Sequence, residues 1–222
     1  MTDNKEVIRG KAMKFDTFLA MNDITYFSRE ELDDPMHSVV YRAHMGVNNR
    51  MQPVQIFLDD SAYSMIKVLI AYQAVTQNNK PLVLDFINGL NEQLKSFKYY
   101  VDGQQNLCLD IAVVNDAEHF DADMFYQMVS LVMMHLKEQD AKIMEAVNYL
   151  SETQKQMLQV LKDTPAEDVD KMMEHCAVSE ADVQQMIVVN GFDPEEAKFR
   201  ALLTRMIVVD DANAAAEAEK EN

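Results

Sequence analysis

The stretch VVYRAHMGVNNRMQPVQIFLDDSAYSMIKVLIA, residues 39–71, decides the fold, because its apolar side chains recur at every second position. Val39, Tyr41, Ala43, Met45 and Val47 take one face of a strand, and Val40, Arg42 and His44 take the other. The Asn48-Asn49 pair that follows is a hairpin signal. The run 54–58 then sets Val54, Ile56 and Leu58 against Gln55 and Phe57, and Asp59-Asp60-Ser61 makes a second turn. Residues 63–71 return with Ile66, Val68 and Ile70 inward and Met65 and Lys67 opposite. Three strands joined by two tight turns make an antiparallel meander.

Before this meander, residues 7–21 place Ala12, Phe15, Phe18 and Leu19 on one helical face, and Asn22-Asp23 ends the helix. Ile24 to Phe27 are expected to add an edge strand, and residues 28–35 to form a polar connection. After it, Asn78-Asn79-Lys80-Pro81 opens a helix running to about Ser96, with Pro81 suited to the first turn. Its stripe is read as Leu84, Ile87, Leu90, Asn91 and Leu94. Residues 97–101 and 107–114 are strands on either side of an Asp102-Gly103 turn. Asp121 is the expected N-cap of a long helix over 122–150. The order αβββαββα, with helices on one side of an antiparallel sheet, predicts an α+β fold.

Beyond residue 150 the two-residue period disappears. Thr164-Pro165, Ser179 and Gly191 divide the chain into helices near 151–162, 166–176, 179–190 and 194–208. Ser179 reads as an N-cap and Gly191 as a stop. The expected division is therefore an α+β domain over 1–150, an all-α C-terminal extension over 151–210 and a disordered tail over 211–222.

Charge narrows the range of functions. The chain carries 20 basic and 37 acidic side chains, for a net charge of −17. From Ser151 onward there are 7 basic and 16 acidic residues, a net −9. Such a field repels phosphate backbones and anionic lipid, which argues against nucleic acid or a membrane as partner. The first 14 residues have no apolar h-region, and no stretch approaches the roughly 20 apolar residues of a membrane-spanning helix. Cys108 and Cys176 show no paired spacing, which fits two free thiols in a reducing cytoplasm.

Signatures of chemistry are weak. Five glycines supply neither a P-loop nor a dinucleotide fingerprint. His119, Asp121 and Asp123 have a spacing that a metal can use, but acidic residues at a helix start are accounted for by the helix dipole. Asp59-Asp60 is ordinary turn chemistry. Cys176 follows His175, yet adjacent residues on a helix point about 100° apart and make no catalytic dyad. No enzyme activity and no cofactor are expected.

Methionine is the distinctive residue: ten of 17 lie after position 120. Met124, Met128, Leu131 and His135 share one stripe of the long helix, and Met133 and Met134 widen it. Flexible thioethers on so broad an arc suit packing on the helix's own sheet and again on a partner. The outer face of the sheet, with Val40, Arg42, Phe57, Met65, Lys67 and Tyr100, is the second candidate binding surface. The turn Gly191-Phe192-Asp193-Pro194 is faintly like that of small helical interaction modules.

Several stretches also resemble the bacterial sensory-transduction-regulator (YbjN-like) group, which has the type III secretion chaperone-like fold. They are Phe15 to Asn22 before Ile24-Thr25-Tyr26-Phe27, Val39 to Ala43, Phe86-Ile87-Asn88-Gly89-Leu90-Asn91, Phe97-Lys98-Tyr99-Tyr100-Val101, and His119-Phe120-Asp121. The resemblance covers about two thirds of the chain and stops at residue 150. It implies a dimeric, non-enzymatic binder of protein segments or a regulator. The expected function is therefore a chaperone-like or regulatory homodimer holding a protein segment of unknown identity. The alternative is a dimerisation scaffold whose acidic helical tail is the interaction module.

Overall fold

A computed structural model describes residues 10–220, with side chains to residue 207. Residues 7–9 of the expected first helix, residues 221–222, and the side chains of the expected tail lie outside that description.

The order of elements is α1 (Gly10–Met21), β1 (Ser28–Glu31), β2 (Val39–Val47), β3 (Arg50–Leu58), β4 (Tyr63–Ala71), α2 (Lys80–Gln93), β5 (Phe97–Val101), β6 (Leu107–Val114) and α3 (Ala122–Val147). Then follow α4 (Glu152–Asp163), α5 (Ala166–His175), α6 (Glu180–Val188) and α7 (Pro194–Lys220). The fold is α+β, with one six-stranded sheet in the order β1-β2-β3-β4-β6-β5. The first four strands pair antiparallel in chain order. The edge strand is Ser28–Glu31, within the stretch read as a connection, whereas Ile24–Phe27 is not a strand. Ser28–Glu31 is exposed at every position, so backbone pairing with β2 rather than an apolar pattern makes it a strand. The last helix runs to Lys220, well past residue 208.

Two compact units form. One comprises the chain up to Ile70, Ile87–Tyr100 and Cys108–Ala141. The other comprises Ala71–Phe86, Val101–Leu107 and the chain from Lys142 on. The helical extension thus shares its unit with two short segments and residues 142–150, all drawn from within 1–150.

In the first unit, the inward row Val39, Tyr41, Ala43, Val54, Ile56, Leu58, Ile66, Val68 and Ile70 is buried throughout. Phe15 of α1 packs edge-on against Tyr41 of β2 and Phe125 of α3, at ring separations of 5.0 and 6.0 Å. The Tyr41 hydroxyl donates to Asp16 at 2.7 Å, which satisfies its polar tip. Lys11 on the same helix is buried, and its Nζ donates to the carbonyls of Ser61 and Tyr63.

β3 starts four residues before its apolar run and passes through Pro53, opposite His44. Its register with β4 stops at Val54, one residue short of Pro53, whose missing N–H cannot serve a ladder. Past that point side chains take over from backbone. Arg50 Nη1 donates to the Ile70 carbonyl at 2.9 Å. The Gln52 amide, turned with its oxygen toward Arg50, donates to the same carbonyl at 3.1 Å. Arg50 Nη2 also pairs with Asp140 of α3, and Asn48 Nδ2 donates to that carboxylate at 2.8 Å. Both charged residues are buried.

α2 buries Val83 and Ile87, with Leu84 exposed, so its stripe begins one residue earlier than expected. Asn91 near its end brackets β5: its Oδ1 accepts from Tyr99 N–H at 2.8 Å and its Nδ2 donates to the Tyr99 carbonyl at 3.0 Å. This gives the Asn-x-x-Asn and Phe-Lys-Tyr pattern a physical role, because a side chain completes the backbone pairing of an edge strand.

The second unit gathers Leu158, Leu161, Val169, Phe199, Leu202 and Leu203 into a core. Ser151 and Ser179 each form a reciprocal capping box, with Gln154 and Asp182 respectively. Gly191 takes φ 78° after α6, as a helix stop requires. The Asn190 side chain brackets Tyr72, accepting from its N–H at 2.7 Å and donating to its carbonyl at 2.9 Å. Asn106 Oδ1 accepts from Gln73 N–H at 2.8 Å, which joins the two short segments.

Candidate functional site

α3 buries one face, with Phe125, Val129, Val132, Met133 and Leu136 recurring at helical spacing. That leaves an opposite seam of apolar side chains in solvent. Met124 is 49% exposed, Leu131 50% and Met134 60%, and Met128 is half-buried. Met133 is turned into the core instead, because it lies on the Val129–Leu136 side of the helix.

Beside the seam, the turn from α2 into β5 leaves a groove of about 430 Å³. Leu94, Phe97, Leu131, Met134 and His135 supply its apolar lining, and Lys95 and Glu138 line it too. His135 packs against Phe97 and Tyr99, at ring separations of 5.8 and 5.9 Å. Its Nε2 is buried without a hydrogen-bond partner. Burial lowers the His135 pKa, against the opposing pull of Glu138, so the ring is neutral at pH 7. The Tyr99 hydroxyl is likewise buried and unpartnered, and burial raises its pKa. The groove thus offers aromatic and thioether surface with neutral polar atoms beneath it.

The outer sheet face is organised by register. Glu30, Val40, Phe57 and Met65 form one cross-strand row, and Ser28, Arg42, Gln55 and Lys67 the next. Arg42 pairs with Glu30. Lys67 lies over the Phe57 ring at 5.9 Å and reaches Asp110 at 3.6 Å, and Tyr100 donates to Asp110 at 3.2 Å. Burial raises the pKa of Asp110, against Lys67 and Tyr100, and also raises that of Tyr100. Arg42, Phe57, Met65, Lys67 and Tyr100 are partly open to solvent together. Val40 is not: it is fully buried between its row neighbours, so it supports this face without presenting itself on it.

The remaining groups have local partners. Asp121 caps α3 by accepting from Met124 N–H at 3.0 Å, His119 is held by Asp116 at 2.8 Å, and Asp123 takes the Gln127 amide at 2.7 Å. Among the described residues, no three metal-ligating side chains converge. Asp59 closes its turn through Ser61, and Asp60 holds His37 at 2.8 Å. Cys176 packs on the edge of the helical core. No described helix is long and apolar enough to cross a membrane.

Two features of the site were outside the reach of periodicity: the groove wall from Leu94 to Phe97, and the unpartnered atoms of His135 and Tyr99. The Phe-Lys-Tyr strand after Asn91 was the only sequence signal near them. Compared with known proteins, the chain matches no family model and no curated sequence.

Proposed function

We propose that this chain is a non-enzymatic, chaperone-like or regulatory binding module that works as a homodimer in the cytoplasm and holds a segment of another protein on its outer sheet face. The supporting observation is the pair of rows crossing β1 to β4. The row that ends in the partly solvated Phe57 and Met65 lies beside the row holding Arg42 and Lys67, also partly solvated, with Asp110 of β6 reached by Lys67 at 3.6 Å. An extended segment, with side chains alternating at the same two-residue spacing, can meet both rows at once. The resemblance to the sensory-transduction-regulator group supports the dimeric, non-catalytic character.

The helical extension as the interaction module is the second reading. It is favoured by a groove of about 680 Å³ lined by Asp170, Met173, Glu174, Glu180, Val183 and Lys198. Truncation at residue 150 would strip the Leu158–Leu203 core, so surface changes are the cleaner test. Capture of partners from host lysate is expected to be lost in Phe57→Glu with Met65→Glu, and kept in Asp170→Lys with Glu174→Lys. The opposite pattern transfers the function to the extension, and capture unaffected by either pair refutes both surfaces.

A further inference from the structure

We propose that the exposed seam of α3 pairs antiparallel with the same seam of a second copy, about a two-fold axis passing beside Ser130. This rests on the homodimeric reading above and specifies which surface makes the dimer.

Met124 and Leu131 lie seven residues apart on the exposed side, and Met134 follows Leu131 by three. That is the spacing of a two-helix seam. The charges flanking the seam choose the orientation. Asp123 and Lys137 are exposed and lie 14 residues apart, so they stand on the same side of the seam, about 21 Å apart along the helix. Ser130 is midway between them. In a parallel pair this flank of one helix meets the opposite flank of the other, where Met128 and His135 stand, so neither charge finds its opposite. In the antiparallel pair Asp123 faces the partner's Lys137 and Lys137 faces the partner's Asp123, giving two symmetric ion pairs. Lys137 makes no ion pair among the described residues, so it is available for this one.

The same symmetry seats the groove. Residues 132–136 of one helix face residues 124–128 of the other, so the partner's Met124 and Met128 lie over Phe97, Met134 and His135. Thioethers suit the edges of these rings.

The test is the oligomeric state of the full chain, measured by sedimentation equilibrium. The wild-type chain is expected to dimerise, and Leu131→Glu with Met134→Glu to be monomeric. Asp123→Lys and Lys137→Asp should each weaken dimerisation by about tenfold, since both symmetric pairs turn repulsive. The double swap should recover most of the affinity, a rescue that a folding defect does not give. A dimer indifferent to the Leu131 and Met134 changes, or a double swap no better than the singles, overturns this interface while leaving the dimeric reading intact. A wild-type monomer overturns both.

Discussion

In the sheet unit, the buried contact between Arg50 and Asp140 joins residues 90 positions apart, while in the helical unit Ser151 and Gln154 cap each other across three. The sheet unit concentrates its polar energetics in one ion pair sunk among apolar side chains. The helical unit distributes its own among capping boxes, neutral amide brackets and half-exposed pairs such as Lys171 with Asp168 at 2.9 Å. A buried charge that loses its partner cannot return to water, whereas a half-exposed one can. The two units should therefore respond differently to single substitutions: the sheet unit sharply at one place, the helical unit mildly at several.

The sharpest test of that contrast is Asp140→Ala. It leaves the Arg50 guanidinium buried without its carboxylate, and should cost about 3–5 kcal/mol by urea unfolding. Replacing the pair together, Arg50→Met with Asp140→Leu, should recover most of the loss, because no charge is then left inside. A loss below about 1 kcal/mol for the single change, the range of a surface pair, would remove the contrast.

The next effect belongs to the helical unit. Asn190→Ala leaves the N–H and carbonyl of Tyr72 without their side-chain partners, and should cost about 1–3 kcal/mol. Asn190→Asp keeps an acceptor for the N–H and should cost less. Amide exchange read at Tyr72 and along α6 separates this from global unfolding. Equal protection in all three proteins would show that the bracket holds nothing.

The same contrast explains what could be read from sequence. β2 and β4 were legible to the residue because an inward row alternating with solvated neighbours fixes both ends. α6 was legible from Ser179 and Gly191, which act over one turn. β1 was not, because Ser28-Arg29-Glu30-Glu31 has no apolar member and owes its state to pairing with β2. Arg50 and Gln52 stood between the Asn48-Asn49 hairpin signal and the run from Val54, outside any expected strand; their role depends on where β4 ends. Of the candidate surface, Met124, Met134, Phe57 and Lys67 are open to solvent, wholly or in part, on the faces that period assigns them. Val40 and Met133 are covered, as period gives a side chain's direction and not what lies over it. The joining of 71–86 and 101–107 to the helical extension rests on asparagine contacts such as Asn190 to Tyr72, which no periodicity marks.

The smallest difference is confined to acid, and there the two units move in opposite directions. Burial works to raise the Asp182 pKa, but hydrogen bonds from Tyr72 and Ser179 and the charge of Arg205 outweigh it, and the net shift is downward. Glu196 is also pushed up by burial and brought down further by Lys162 and Arg200. A lowered folded-state pKa gives stability that is present above the ordinary value and lost as pH falls through the lowered one. The helical unit should therefore weaken below about pH 4.5, the ordinary glutamate value, and further below 3.8, that of aspartate. In the sheet unit, burial raises Asp110, so its contribution is fullest below 3.8 and is lost as pH rises through the raised value. Asp34 and Asp116 there are lowered, chiefly by backbone N–H groups of Ser38 and His119, but both stand in solvent, where screening keeps such effects small. Between pH 4.5 and 3, amide protection should fall first along α6 and α7 and persist in β2 to β4. Glu196→Gln should flatten the acid loss in α7 while leaving the sheet unchanged. If protection in both units falls in step and Glu196→Gln shifts neither, then the pairs at Asp182 and Glu196 do not set the acid limit of the helical unit, and a common event takes their place.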